Sequence, residues 1–184
     1  KDQDRRVLIK SAGDGNPLAL PTGEALAALA DDGLIAFRHL HDKFMRERRL
    51  CRHLHLPLQS GSGSVLKRMA RKTTPESFRE LVAAARTVMP EVAITTDIIA
   101  GFPGETEAEF AETLDFVREI NFAGGHVFTY SARPGTGAAK MKGQIRPEVG
   151  KKRNAILREV FEESSKVYRQ KFVGRKMSVL WESV

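Results

Sequence analysis

The sequence predicts an α/β fold whose strands run parallel and are joined by helical crossovers. Three observations carry it. Strand-like runs at 53–58, 92–99 and 126–130 alternate with helical patterns longer than the loops between them, which is the order that right-handed β-α-β connections produce. The run at 92–99 is β-branched and largely apolar, the pattern of a strand buried on both faces. With 184 residues, 41% hydrophobic and 29% charged, the chain is long enough for one domain with a core and too apolar for a disordered segment. An open or closed β/α barrel and a doubly wound sheet both satisfy these observations.

Residues 1–49 carry the weakest pattern. Val7-Leu8-Ile9 reads as a short strand, residues 16–21 as a turn, and Thr22 as the N-cap of a helix through Leu26 and Leu29 that ends at Gly33; residues 38–52 are polar and of ambiguous type. From His53 the pattern is regular. His53-Leu54-His55-Leu56-Pro57-Leu58 alternates at period two and is followed by the glycine- and serine-rich turn 59–64 and a short helix through Val65, Leu66 and Met69. Thr74-Pro75 supplies an N-cap and a first-turn proline for a helix with Phe78, Leu81, Val82, Ala85 and Met89 on one stripe, stopped by Pro90. After the strand at 92–99, Gly101-Phe102-Pro103-Gly104 turns the chain, and Thr106-Glu107-Ala108-Glu109 is a capping box for a helix with Phe110, Leu114 and Val117 inward. The strand at 126–130, a loop punctuated by Gly and Pro, a long basic helix at about 147–172 and a last strand at 176–181 complete the order.

Composition excludes several classes. One cysteine, Cys51, rules out a disulfide scaffold, a four-cysteine zinc site and an iron–sulfur cluster held wholly by this chain's thiolates. No apolar run approaches the ~20 residues of a membrane span, and the charged N-terminus lacks a signal-peptide core, so a cytoplasmic location is expected. The chain begins without Met and stops at Val184 inside a strand-like run, the pattern of a fragment of a longer protein. The net charge of +7 is local. Between Arg133 and Lys176 stand thirteen Lys or Arg and four Asp or Glu, a balance of +9, so this basic segment is the candidate footprint for a phosphate backbone. A solvated helix face with some i,i+4 pairing is the plainer alternative.

In parallel β/α folds, ligands sit at the carboxyl ends of the strands. Three loops leave such ends here, at 59–64, 100–106 and 131–137, and all three are rich in Gly, Ser, Thr or Pro, as backbone that approaches a ligand closely must be. Asp97, a lone carboxylate in an apolar strand, is costly unless satisfied, which favours a functional or paired role. Cys51, His53 and His55 share one strand face, but no fourth ligand lies nearby, and no metal site is expected. No catalytic side chain is assigned.

The segments Cys51-Arg52-His53-Leu54-His55-Leu56-Pro57-Leu58-Gln59-Ser60-Gly61-Ser62, Leu66-Lys67-Arg68-Met69 with Arg71, the run from Thr95 to Thr106 and the run from His126 to Thr136 resemble the radical S-adenosylmethionine methylthiotransferases, in order and at that family's spacing, over about residues 50–184. Gly124-Gly125-His126-Val127-Phe128 and Gly174-Arg175-Lys176 leading to Val179-Leu180-Trp181-Glu182 look most like the branch that methylthiolates threonylcarbamoyladenosine beside the tRNA anticodon. The isopentenyladenosine and ribosomal-protein branches share most of the other motifs.

The resemblance implies a partial (β/α) barrel of the radical SAM type, incomplete on its N-terminal side. Its domains would be a poorly matched segment at 1–49, the C-terminal part of the radical SAM domain at 50–172, and the start of an RNA-binding β-barrel at 173–184. It implies S-adenosylmethionine as cofactor, with Gln59, Ser60 and Gly61 at one strand end, Asp97 accepting from ribose hydroxyls, Arg71 holding the methionyl carboxylate, and Gly101 and Gly104 beside the adenine. It implies tRNA as partner, with Lys151, Lys152, Arg153, Arg175 and Lys176 facing it. The family's 4Fe-4S cluster takes its cysteines from segments this sequence does not contain, so the chain by itself is expected to be inactive. A non-catalytic cofactor- or RNA-binding remnant and an unrelated β/α-barrel enzyme binding a phosphate or nucleotide remain alternatives. A barrel missing strands exposes sheet edges, and self-association is expected from that.

Overall fold

A computed structural model describes residues 52–177. The expectations for residues 1–49, for Cys51 and for most of the strand at 176–181 fall outside the described residues. Three strands, β1 (His53–His55), β2 (Ala93–Ala100) and β3 (Gly124–Thr129), form one sheet in the order β1-β2-β3 with both pairings parallel. The helices are α1 (Gly63–Arg68), α2 (Pro75–Val88), α3 (Glu107–Ile120) and α4 (Pro147–Gln170), with a 3-10 turn at Ala138–Lys140.

β1 is shorter than the alternating pattern predicts, because the Leu58 N–H, next in turn to face β2 after that of Leu56, is taken by a side chain and not by the backbone. The chain nevertheless stays beside β2. Leu56 N donates to Thr95 O at 2.8 Å, Gln59 N to Asp97 O at 2.8 Å, and Ile99 N to Gln59 O at 2.9 Å. The gap is bridged by the buried Thr96, whose hydroxyl donates to Leu56 O at 2.7 Å and accepts from Leu58 N at 3.1 Å.

The helix starts follow their local chemistry. Thr74 and Ser77 cap α2 reciprocally with Pro75 in the first turn, and Thr106 and Glu109 do the same for α3. Asn121, at φ 52°, ends α3 in the left-handed region.

The core lies between one sheet face and the helices. Leu54, Leu56, Leu58, Ile94, Ile98 and Ala100 meet Phe78, Leu81 and Val82 of α2, Phe116 and Val117 of α3, and Leu157 and Phe161 of α4. Along β2 burial alternates strictly, with Thr95, Asp97 and Ile99 only half-buried. This corrects the expectation of a strand buried on both faces: among the described residues the helices cover one face only, and the apolar residues of the other face line an open surface. Two glycines set how closely the strand-end loops pack. A Cβ on Gly61 would stand 2.7 Å from Phe116 Cβ and 2.9 Å from the Thr113 Cα, so no side chain fits there. Gly101, at φ +77°, lies where a Cβ would be 3.1 Å from Gly150 Cα, which seats the loop after β2 on the start of α4.

Candidate functional site

The face of the sheet turned away from the helices carries the polar residues. His53 and His55 of β1 register with Ala93 and Thr95 of β2, and Asp97 of β2 registers with His126 of β3. Because side chains alternate along a strand, residues two apart share a face, and the parallel register gathers His53, His55, Thr95, Asp97 and His126 into one patch. His53 Nε2 lies 2.9 Å and His55 Nδ1 3.0 Å from Thr95 Oγ1, and His55 Nε2 lies 3.2 Å from Asp97 Oδ2. The His55 and His126 ring centroids are 6.3 Å apart. The Asp97 side chain keeps 25% of its exposure. Burial, and then the neighbouring His55 charge, hold His53 below the ordinary histidine range. Among the described residues, no group of three or more His, Cys, Asp or Glu is arranged to hold a metal ion.

The strand-end loops border this patch. Gln59 sits beside Ile98 at φ 77°, a left-handed conformation that a non-glycine residue seldom takes and that clusters at functional sites. Ser60 and Gly61 face the other way. Ser60 Oγ is shared with Thr113 Oγ1 at 3.1 Å and with Ser62 N at 3.2 Å, and Gly61 packs on α3, so both work in the seam between loop and helix. Arg71 follows α1 on an exposed stretch, its N–H bonded to Leu66 O at 3.0 Å. Gly104 N donates to Gly143 O at 2.8 Å, tying the loop after β2 to the loop after β3. At the end of β3, Tyr130 packs edge-on to Phe102 with centroids 5.4 Å apart, and its buried hydroxyl has no hydrogen-bond partner among the described residues. A buried phenol without a bond partner needs water or a ligand to complete it.

Two ion pairs brace the same rim. Glu109 takes a two-pronged contact from Arg68 at 2.8 and 2.7 Å, which, with help from Ser64 and the Thr106 N–H, lowers its carboxyl to about 2. Glu105 is buried and accepts from Gly101 N at 2.8 Å and from Arg153 Nη1 at 2.6 Å. Burial pushes the Glu105 carboxyl upward against the pull of those donors. The other arm of Arg153 reaches Glu107 at 2.6 Å.

Arg153 therefore corrects the sequence reading. Its side chain retains 5% exposure and ties α4 to the loop after β2, so it is not available on the basic face where it was expected. The reason is phase: on α4 it shares the inward stripe with Gly150, Leu157 and Phe161, and the acidic partners that neutralise it lie 46 to 48 residues away in sequence. Lys151 and Lys152 are exposed near the start of the helix. Arg175 and Lys176 follow its far end, where Arg175 pairs with Glu91. At 1.5 Å per residue, the stretch of α4 from Lys152 to its end at Gln170 puts roughly 27 Å of helix between these two groups. Only the first group is near the strand ends, where the loop 131–146 adds Arg133, Lys140, Lys142 and Arg146 and no acid.

The polar patch, Tyr130 and the Glu105–Arg153 pair went unnoticed in the sequence. The alternating histidines and the lone carboxylate Asp97 were the visible signals for the patch; strand register, which sequence does not display, is what brings them together with His126.

Residues 11–117 match the profile of the Radical SAM superfamily. The chain is 45% identical over 139 residues to the threonylcarbamoyladenosine tRNA methylthiotransferase MtaB of Thermotoga maritima, a match covering 76% of this chain and 32% of that protein. It is 50% identical over 131 residues to the tRNA-2-methylthio-N(6)-dimethylallyladenosine synthase of Frankia alni, covering 71% of this chain and 26% of that protein. The chain thus spans a third or less of the length of these curated relatives. Among solved structures it is similar to coproporphyrinogen III oxidase (HemN) from Escherichia coli, described as a radical SAM enzyme, with a TM-score of 0.56 and 23% identity over 70% of this chain and 29% of that one. At that identity the likeness concerns the fold, and it agrees with the parallel β/α architecture.

Proposed function

The chain belongs to the radical SAM superfamily and, within it, to the methylthiotransferase family, and we propose that its strand ends hold S-adenosylmethionine for methylthiolation of a modified adenosine in tRNA. The observation that carries this reading is the open polar face. Asp97 is a half-buried carboxylate with one oxygen engaged by His55, and the unpartnered Tyr130 hydroxyl lies at the end of the adjacent strand. A ligand rich in hydroxyls and ring nitrogens fits such a donor and acceptor set. When bound, S-adenosylmethionine supplies the group whose cleavage starts the family's chemistry. This chain's residues would bind and orient it: Asp97 by accepting from paired hydroxyls, Gln59 from the neighbouring strand end, Arg71 by a forked contact to a carboxylate, and the Gly101 and Gly104 turns by close backbone approach.

The 4Fe-4S cluster of the family does not fit the residues of this sequence. One cysteine cannot supply the several thiolates such a cluster takes, and no step is derived through it.

The tRNA assignment rests on the relatives' named substrates and on the cations around the strand ends. Lys151, Lys152 and the loop 131–146 are the part of the basic segment beside the site, while Arg175 and Lys176 would serve a more distant contact. Of the two branches among the relatives, the threonylcarbamoyladenosine branch is favoured by the Gly124-Gly125-His126-Val127-Phe128 stretch, and the dimethylallyladenosine branch is the alternative. Deleting the gene that encodes this chain and measuring tRNA nucleosides by mass spectrometry tests both. Loss of the methylthio form of threonylcarbamoyladenosine is the expected result; loss of the dimethylallyl product selects the alternative, and an unchanged nucleoside profile overturns the tRNA reading. Charge reversal of Lys151 and Lys152 together should weaken tRNA binding several-fold at low salt and flatten its salt dependence, measured by filter binding across a salt series. Among the described residues no helix is long and apolar enough to cross a membrane.

A further inference from the structure

We propose that His53, Thr95 and His55 form a directed hydrogen-bond chain that ends on Asp97 and fixes its orientation, leaving one carboxylate oxygen free for the paired hydroxyls of the adenosyl ligand. This rests on the reading of the face as a cofactor site. The direction follows from donor and acceptor bookkeeping. An ionised Asp97 only accepts, so His55 Nε2 must carry the proton that it gives across 3.2 Å. A neutral His55 then has Nδ1 as an acceptor, so the Thr95 hydroxyl donates to it across 3.0 Å. With its one proton spent, Thr95 Oγ1 can only accept from His53 Nε2 at 2.9 Å. Every member has one permitted state, and both histidines are Nε2–H tautomers.

Three features support a positioning role. The chain spans two strands whose register is set by the ladder, so its geometry is inherited from the backbone. Burial holds His53 below the ordinary histidine range, keeping it the neutral first donor. Among the described residues, the groups that face the chain are His126 of β3, with its ring centroid 6.3 Å from that of His55, and the Arg52–Glu91 pair at 3.4 Å beyond the start of β1. None of them takes Asp97 Oδ2 from His55.

Protonating His55 would put a proton on Nδ1, so that Thr95 Oγ1 would accept there instead of donating and would turn its own proton away from His55. The chain is therefore sensitive to one proton.

Nitrogen-15 spectra of the histidine rings in the full chain at pH 8 test the direction. His53 and His55 should both report the Nε2–H tautomer, and Thr95→Val should release His53, whose acceptor is removed, to a mixture while His55 keeps its Nε2–H on Asp97. A Nδ1–H tautomer at His55, or spectra unchanged by Thr95→Val, overturns the proposal. Binding of S-adenosylhomocysteine by calorimetry tests the consequence. His55→Leu should weaken it about tenfold and Thr95→Val about threefold, whereas His55→Gln, whose amide can still donate to Asp97, should stay within about twofold of the parent. His55→Gln binding as poorly as His55→Leu would overturn the positioning role. If the parent chain itself fails to bind the probe while the tautomers are as stated, the adenosyl part of the proposal falls with the cofactor reading, and the directed chain alone survives.

Discussion

On one face of the sheet, Leu54, Ile94 and Ile98 retain 1% or less of their exposure and pack on three helices. On the other, one residue along the same strands, His55 keeps 42% and Asp97 25% of their side-chain exposure and bond chiefly to one another. The two faces share a backbone and differ by one step of the pleat. The helix-side face is where burial stabilises the fold, since removing apolar area from water contributes about 25 cal/mol per Å². The open face contributes little of that kind. Titratable side chains there keep part of their contact with water, so they weigh little on stability.

Neighbouring residues can break that contrast. Ile98→Ala should cost about 2–5 kcal/mol, because the cavity it leaves lies among side chains that cannot close over it, and urea unfolding followed by circular dichroism measures it. A loss under 1 kcal/mol would mean that the helix-side face is not the main source of stability.

The rim between the faces should respond to acid. Arg68 lowers Glu109 to about 2, so the folded form binds its proton more weakly than the unfolded chain. The stabilisation is fully present above the ordinary carboxylate range near pH 4.5 and fades as pH falls towards 2, by an amount on the order of 1–3 kcal/mol. Comparing thermal unfolding of the parent and of Arg68→Met between pH 6 and 2.5 isolates it, and equal acid slopes would remove the pair from the account.

The smallest stability effect should come from the open face. Asp97→Asn, one residue from Ile98, should shift unfolding by less than about 0.5 kcal/mol while removing most of the affinity for S-adenosylhomocysteine. A large loss of stability would make Asp97 a structural residue and leave the open face without a function.

The helix caps at Thr74 and Thr106 and the positions of the strands could be read along the chain, because capping boxes and apolar periods are local properties. The three strand-end loops were also visible, as runs of glycine, serine and proline. The extent of β1 was not, since its continuation past Pro57 depends on a hydroxyl from Thr96 in another strand. Arg153 shows the same limit. In sequence it stands in Lys151-Lys152-Arg153 with two exposed cations, and only the rotation of α4 against the loop after β2 turns it inward onto Glu105.

By itself, then, the sequence determined the alternation of strands and helices, the three ligand-side loops, the local excess of positive charge and the family resemblance, all of which are carried by residues near one another in the chain. Tertiary structure alone decided which face of β2 is open, which cation is buried, and that His53, His55, Thr95 and Asp97 meet. Those outcomes depend on strand register and helix phase, where a shift of one residue turns a side chain from the core to the open face.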